Sequence, residues 1–147
     1  MTSVSHLIDH TLLAPDARTA DIDRLCREAV EIGAASVCVN PVHVARCAES
    51  LREEDVKVCA VIAFPFGASL SGTKACEPRA AVRDGAQEVD MVLNLGAAKD
   101  GEWDVVGEDV RAVVEAGIRL DAAIPRRHTL KELYFATIDR SIEEKSS

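Results

Sequence analysis

Runs of consecutive apolar residues alternate along this chain with stretches in which apolar residues recur every three or four positions, predicting strands and helices in turn. The first run, 7–13, is interrupted by Asp9 and His10 and gives way to turn chemistry at Ala14, Pro15 and Asp16. From Thr19, a residue able to cap a helix, the positions Ile22, Leu25, Cys26, Ala29 and Val30 share one helical face until Gly33 stops it. A buried strand is predicted over 34–40. The cycle repeats with a helix over 43–54, using Val44, Cys47, Ala48 and Leu51, and with a strand over 56–64 that Pro65 and Gly67 end. A weaker helical pattern covers 71–84 and contains Pro78, where a lost hydrogen bond and a ring clash cost about 3 kcal/mol outside a first turn. A fourth strand over 87–95 precedes a helix over 103–116 with Val105, Val106, Val110, Val113 and Val114 on one face. A fifth strand is predicted over 118–124, broken by Arg119 and Asp121. Leu130, Leu133, Tyr134 and Ile138 then predict a terminal helix over 129–142 that covers the sheet, before a frayed 143–147.

Strands alternating with helices in this way imply right-handed βαβ units and one parallel sheet, an α/β fold. The pattern leaves open whether that sheet is flat and doubly wound or curved toward a barrel. In both cases ligands bind beyond the carboxyl ends of the strands. That rule places Asp9, Cys38 with Asn40, Phe64 with Pro65 and Gly67, and Asp90 with Asn94 around one end of the sheet.

Asp90 is the most informative of these. Val89, Met91 and Val92 surround it in a run that reads as a strand covered on both faces, where an ionised carboxylate costs several kcal/mol unless it is paired or used. It is either a structural acid bridged to Lys57 or Lys99, or a general acid and base. Asp9 and Thr11 adjoin a turn, so each is either a local cap or a pocket residue. Cys38 points into or near the pocket, as a small hydrophobe or as a nucleophile. His10 and His43 have no Ser or Cys partner in their surroundings, and Lys99 reads as a solvated loop cation beside Asp100 and Gly101.

Composition narrows the class. The chain has 147 residues, about one ordinary domain, and 48% of them are hydrophobic, which suffices for a core. With 17 Lys and Arg against 25 Asp and Glu, the formal charge of -8 disfavours nucleic acid and anionic membranes as partners. Cys26, Cys38, Cys47, Cys59 and Cys76 contain no C-x-x-C pair, so neither a disulfide framework nor a zinc site is expected, and reduced thiols suit a cytoplasmic protein. No run of about 18 apolar residues predicts a membrane span. No glycine fingerprint follows the first strand, which argues against a dinucleotide site.

Four segments carry a family resemblance: Asp9-His10-Thr11-Leu12-Leu13, Val37-Cys38-Val39-Asn40-Pro41, Val61-Ile62-Ala63-Phe64-Pro65-Phe66-Gly67, and Glu88-Val89-Asp90-Met91-Val92-Leu93-Asn94-Leu95-Gly96. In order and spacing the chain resembles the deoxyribose-phosphate aldolases. The resemblance implies a (β/α)8 TIM barrel of which this chain supplies the first four to five βα units over 1–124, with a divergent segment over 125–147. It also implies a cofactor-free class I lyase that interconverts 2-deoxyribose 5-phosphate with glyceraldehyde 3-phosphate and acetaldehyde through a lysine Schiff base. Asp90 matches the family's proton-relay aspartate and Asp9 and Thr11 match polar residues lining its pocket, with Cys38 counted beside them as a substrate-binding candidate. The family's Lys-Thr-Ser-Thr-Gly segment, which carries the imine lysine, is absent from these residues, as is its Gly-Phe-Lys segment. The expectation is therefore a half-barrel inactive by itself, or a silent binding module or oligomer subunit. Its free edges and an inner face expected to be apolar point to a homo-oligomer.

Overall fold

The computed structural model describes residues 4–115. A 3-10 turn at Ser5–Leu7 leads into β1 (Asp9–Leu12), α1 (Thr19–Ile32), β2 (Ser36–Val39), a second 3-10 turn at Pro41–His43, and α2 (Val44–Ser50). β3 (Lys57–Ile62), α3 (Ser71–Arg83), β4 (Glu88–Met91), α4 (Leu95–Asp100) and α5 (Trp103–Glu115) follow. The strand expected at 118–124, the helix expected at 129–142 and the division after residue 124 lie outside the described residues.

Helix ends follow local chemistry. Thr19 is the first residue of α1 rather than its cap; the Asp21 carboxylate accepts the backbone N–H of Arg18 at 3.0 Å. That bond holds the Asp21 carboxyl below the usual carboxylate range. Gly33 ends α1 at φ 64, a left-handed conformation that glycine adopts without a Cβ penalty.

The strands lie in the order β1-β2-β3-β4 and every pair is parallel. Each crossover therefore moves one strand in the same direction, and right-handed crossovers of that kind place the helices on one face. A doubly wound sheet needs a reversal of strand order, and none occurs among the described strands. The alternative left open by the sequence closes in favour of part of a barrel wall with helices outside.

The main core fills the helix side. Val37, Val39, Val58 and Ala60 pack with Ile22, Leu25, Cys26 and Ala29 of α1 and with Val44, Cys47 and Leu51 around α2. A fully buried side chain of this type contributes about 1.5–3 kcal/mol. The opposite face carries a small cluster of Cys38, Cys59 and Val61, with Leu13 against it. All four residues of β2 are buried, and so are five of the six in β3, whereas β1 and β4 alternate exposed and half-buried positions.

Two expectations fail here. The fourth strand is not covered on both faces: it is the outermost described strand, and Asp90 is exposed. It also ends at Met91, because the chain leaves the sheet and the Asn94 side chain accepts the Ala97 N–H at 3.2 Å to cap α4. α3 meanwhile runs through Pro78, well past its first turn. The ring is fully buried, and on the same face the Lys74 ammonium meets Asp109 of α5 at 2.5 Å while the Ser71 hydroxyl donates to Asp109 at 3.0 Å. Burial and this ion pair offset the hydrogen bond that proline forfeits. No helix among the described residues is long and apolar enough to cross a membrane.

Candidate active site

Registered partners in a parallel sheet direct their side chains to the same face, so the register lists the inner surface row by row. Asp9, Ser36 and Lys57 form the row at the amino ends; Thr11, Cys38, Cys59 and Glu88 form the next; Val61 and Asp90 form the third, toward the carboxyl ends. Contrary to expectation, the inner face is thus not apolar throughout: every second residue of β1 and β4 carries an acid or a hydroxyl, on either side of the small Cys38, Cys59 and Val61 cluster.

Asp90 stands highest on this face. Among the described residues no hydrogen bond or ion pair holds its carboxylate. Lys57, one proposed partner, is bonded to Glu88 at 2.6 Å, and Lys99, the other, lies exposed on α4. The structural salt bridge considered for Asp90 is therefore not formed.

The other candidates divide. Asp9 opens β1 at the amino end, two rows or roughly 13 Å along the strand direction from Asp90, and not at the carboxyl end where the sequence placed it. The buried Ser36 hydroxyl donates to it at 2.7 Å. Thr11 lies between these levels, its hydroxyl donating to the Asp9 carbonyl at 2.8 Å. Asn40 is a clamp: its amide donates to the Leu13 carbonyl at 3.2 Å and ties the exits of β1 and β2 together. His10 faces away, 2.9 Å from Glu28 of α1.

Cys38 and Cys59 are both buried and sit side by side across β2 and β3. The second charge on such a pair is strongly disfavoured. The neighbouring Cys38 thiol, burial, and then the charges of Cys38, Asp90 and Asp9 push the Cys59 thiol far above the ordinary range. The hydrogen bond from Cys59 favours ionisation at Cys38 instead.

The turn after β3 is built tightly. Ala63 adopts φ 54, a left-handed conformation unusual for a residue with a Cβ, and the Phe64-Pro65 bond is cis. The Gly67 N–H donates to the Ala63 carbonyl at 2.8 Å, and the Ala63 N–H donates to the Glu77 carboxylate of α3 at 2.8 Å. A Cβ on Gly67 would lie 1.8 Å from the Leu93 carbonyl oxygen, so only glycine lets the turn rest on the exit of β4. Phe64 and Phe66 project from it, partly or largely exposed.

Glu77, Cys59 and Glu88 were not singled out by the sequence. Glu88 and Cys59 follow from the strand period once Asp90 is placed inward, whereas nothing local marks Glu77, whose partner lies fourteen residues away.

An α/β wall whose parallel strands follow sequence order, with polar residues directed inward, has the geometry of part of a TIM barrel. Solved structures agree: the chain is similar to an aldolase named QR15 (TM-score 0.74, 38% identity, covering 79% of this chain and 52% of that one). It is also similar to the tetrameric deoxyribose phosphate aldolase of Aeropyrum pernix (TM-score 0.67, 30% identity, 78% and 49%). The model of the DeoC/LacD family aldolases matches residues 4–121, and the chain belongs to that family. It is 54% identical over 114 residues to deoxyribose-phosphate aldolase 1 of Cutibacterium acnes, covering 78% of this chain and 52% of the relative. It is 56% identical over 113 residues to the deoxyribose-phosphate aldolase of a Geobacillus species, covering 77% and 51%. The chain thus spans about half the length of these relatives.

Proposed function

We propose that this chain forms the proton-handling side of a class I aldolase site acting on a small sugar phosphate or aldehyde, with 2-deoxyribose 5-phosphate as the substrate. The supporting observation is Asp90, an inward carboxylate with no ion-pair partner among the described residues, on a chain more than half identical to deoxyribose-phosphate aldolases across the matched region. In the proposed reaction a lysine imine is the electron sink for cleavage of the carbon-carbon bond, so no cofactor is required. Asp90 takes the proton from the substrate hydroxyl as that bond breaks and returns a proton to the carbon released as acetaldehyde. Thr11 and Cys38 line the substrate side of the face, and Asp9 supports it from below through Ser36.

Among the described residues the amine is the missing part. Of the described lysines, Lys57 pairs with Glu88 near the amino end, Lys74 is buried against Asp109, and Lys99 is on α4. None stands on the inner face at the level of Asp90. By itself the chain is accordingly proposed to be inactive in cleavage. The alternative, a catalytically silent half-barrel serving as a binding module or oligomer subunit, draws on the same observation. A cytoplasmic homo-oligomer without nucleic-acid or membrane partners completes the proposal, self-association being favoured by the exposed side chains of Val42, Phe66 and Leu70.

Two measurements separate these readings. Borohydride reduction in the presence of acetaldehyde, followed by mass spectrometry, is expected to leave every lysine unmodified; a reduced adduct on Lys99 or any other lysine overturns the inactivity. Addition of 2-deoxyribose 5-phosphate to isotope-labelled protein is expected to shift the Thr11, Cys38 and Asp90 amide resonances. Unchanged resonances there at millimolar ligand overturn the substrate assignment and leave the silent module.

A further inference from the structure

We infer that Glu77 is a positioning residue, whose carboxylate holds the turn after β3 against the exit of β4 and so sets where Asp90 stands on the inner face. The inference deepens the aldolase reading and rests on it for its purpose, though its geometry is independent of it.

Three contacts form a continuous path. Glu77 reaches out of α3 to accept the Ala63 N–H at 2.8 Å. Ala63, held at φ 54, turns its carbonyl to the Gly67 N–H, also at 2.8 Å. Gly67 in turn lies so close to Leu93 that its own missing Cβ would collide with that carbonyl. Leu93 is three residues beyond Asp90, and between them the Val92 N–H donates to the Ile62 carbonyl at 3.0 Å, next to Ala63. Both ends of the turn are therefore anchored on the two residues that follow β4 at its exit, Val92 and Leu93.

The left-handed conformation at Ala63 costs roughly 1–3 kcal/mol, so it persists only where its surroundings enforce it. The acceptor that enforces it is a charged carboxylate, and hydrogen bonds to charged groups are about twice as strong as neutral ones. Ala63 is itself buried, so without Glu77 its N–H loses a partner in a site where water replaces it poorly. Pro78 follows Glu77 directly and is fully buried, which seats this part of α3 firmly behind the turn.

Glu77→Gln and Glu77→Ala isolate the acceptor, since both remove the charge and only the second removes the oxygen. Amide hydrogen exchange and amide chemical shifts are read for Ala63, Gly67, Leu93 and Asp90, with thermal unfolding measured in parallel. In E77A, exchange at Ala63 is expected to quicken roughly tenfold beyond any change in global protection, and the shifts of Gly67, Leu93 and Asp90 to move together. E77Q, which keeps an acceptor oxygen without the charge, is expected to show both effects at roughly half their size. If E77A does not fold, Gly67→Ala serves instead and is expected to move Leu93 and Asp90 while leaving the Glu77–Ala63 bond. Unchanged Asp90 resonances in a folded E77A, or in a folded G67A, overturn the inference; so does E77Q behaving like E77A. Loss of the response to 2-deoxyribose 5-phosphate in the wild-type chain would instead sink the substrate assignment and leave this result standing.

Discussion

The two faces of one four-stranded sheet differ in kind. On the helix side Val37, Val39, Val58 and Ala60 pack into an apolar cluster, and the single titratable side chain that the described strands direct there, His10, meets Glu28 of α1. On the inner side the same strands present Asp9, Thr11, Ser36, Cys38, Lys57, Cys59, Glu88 and Asp90. One face holds the chain together and the other is available for chemistry, and a shift of one residue in register would exchange them. The division also explains why Asp90 tolerates its apolar neighbours: Val89 and Met91 point away from it into the helix layer.

Substitutions on the helix side should be the costly ones. Asp109→Ala leaves the fully buried Lys74 ammonium without its carboxylate, and a loss of about 3–5 kcal/mol in urea unfolding is expected. A loss below about 1 kcal/mol would mean that the α3–α5 layer is looser than the geometry implies.

An intermediate effect concerns pH. A neighbouring thiol, Cys38 beside Cys59 and Cys26 beside Cys47, and then burial raise Cys59 and Cys47 above the ordinary thiol value of 9.0. An unfolded chain ionises both members of each pair above that value, whereas the folded pairs retain a proton. The stability due to Cys59 and Cys47 is therefore complete below the ordinary value and is lost as pH rises past it, at up to about 1.4 kcal/mol per pH unit for each proton retained. Urea midpoints from pH 8.5 to 10.5 should fall, and Cys59→Ala should reduce the slope. A flat profile would place the thiols in contact with solvent.

The smallest effect belongs to the inner face. Asp90→Asn changes an exposed residue without an ion-pair partner among the described residues, so its unfolding free energy should stay within about 0.5 kcal/mol of the wild type. The same variant should weaken the resonance response to 2-deoxyribose 5-phosphate. Strong destabilisation would make Asp90 a structural acid after all.

The layer order was legible because Ile22, Leu25, Cys26 and Ala29, or Val105, Val106 and Val113, repeat at the helical period with little interference. α3 was faint because its buried stripe is Lys74, Pro78 and Ala81, a cation and a proline where apolar residues are normally read. Asp90 was found by the cost of a charge among apolar neighbours, yet its burial was overestimated, since an apolar run does not tell an interior strand from an outermost one. Asp9 was placed at the wrong end because the run at 7–13 begins as a 3-10 turn, which delays the strand. α4 was missed altogether: Leu95 and Gly96 continue the apolar run of β4, and the cap at Asn94 becomes visible only once the chain turns. Glu77 could not be read, because its significance lies in a backbone N–H across a turn.

The rims of the described sheet carry a further consequence. β1 and β4 are each four residues long, and their exposed positions hold Asp9 and Thr11 on one side and Glu88 and Asp90 on the other. Rim-to-rim stacking of copies would bring Asp9 toward Glu88 and Asp90, like charges that work as a gatekeeper against runaway strand addition and fibre growth.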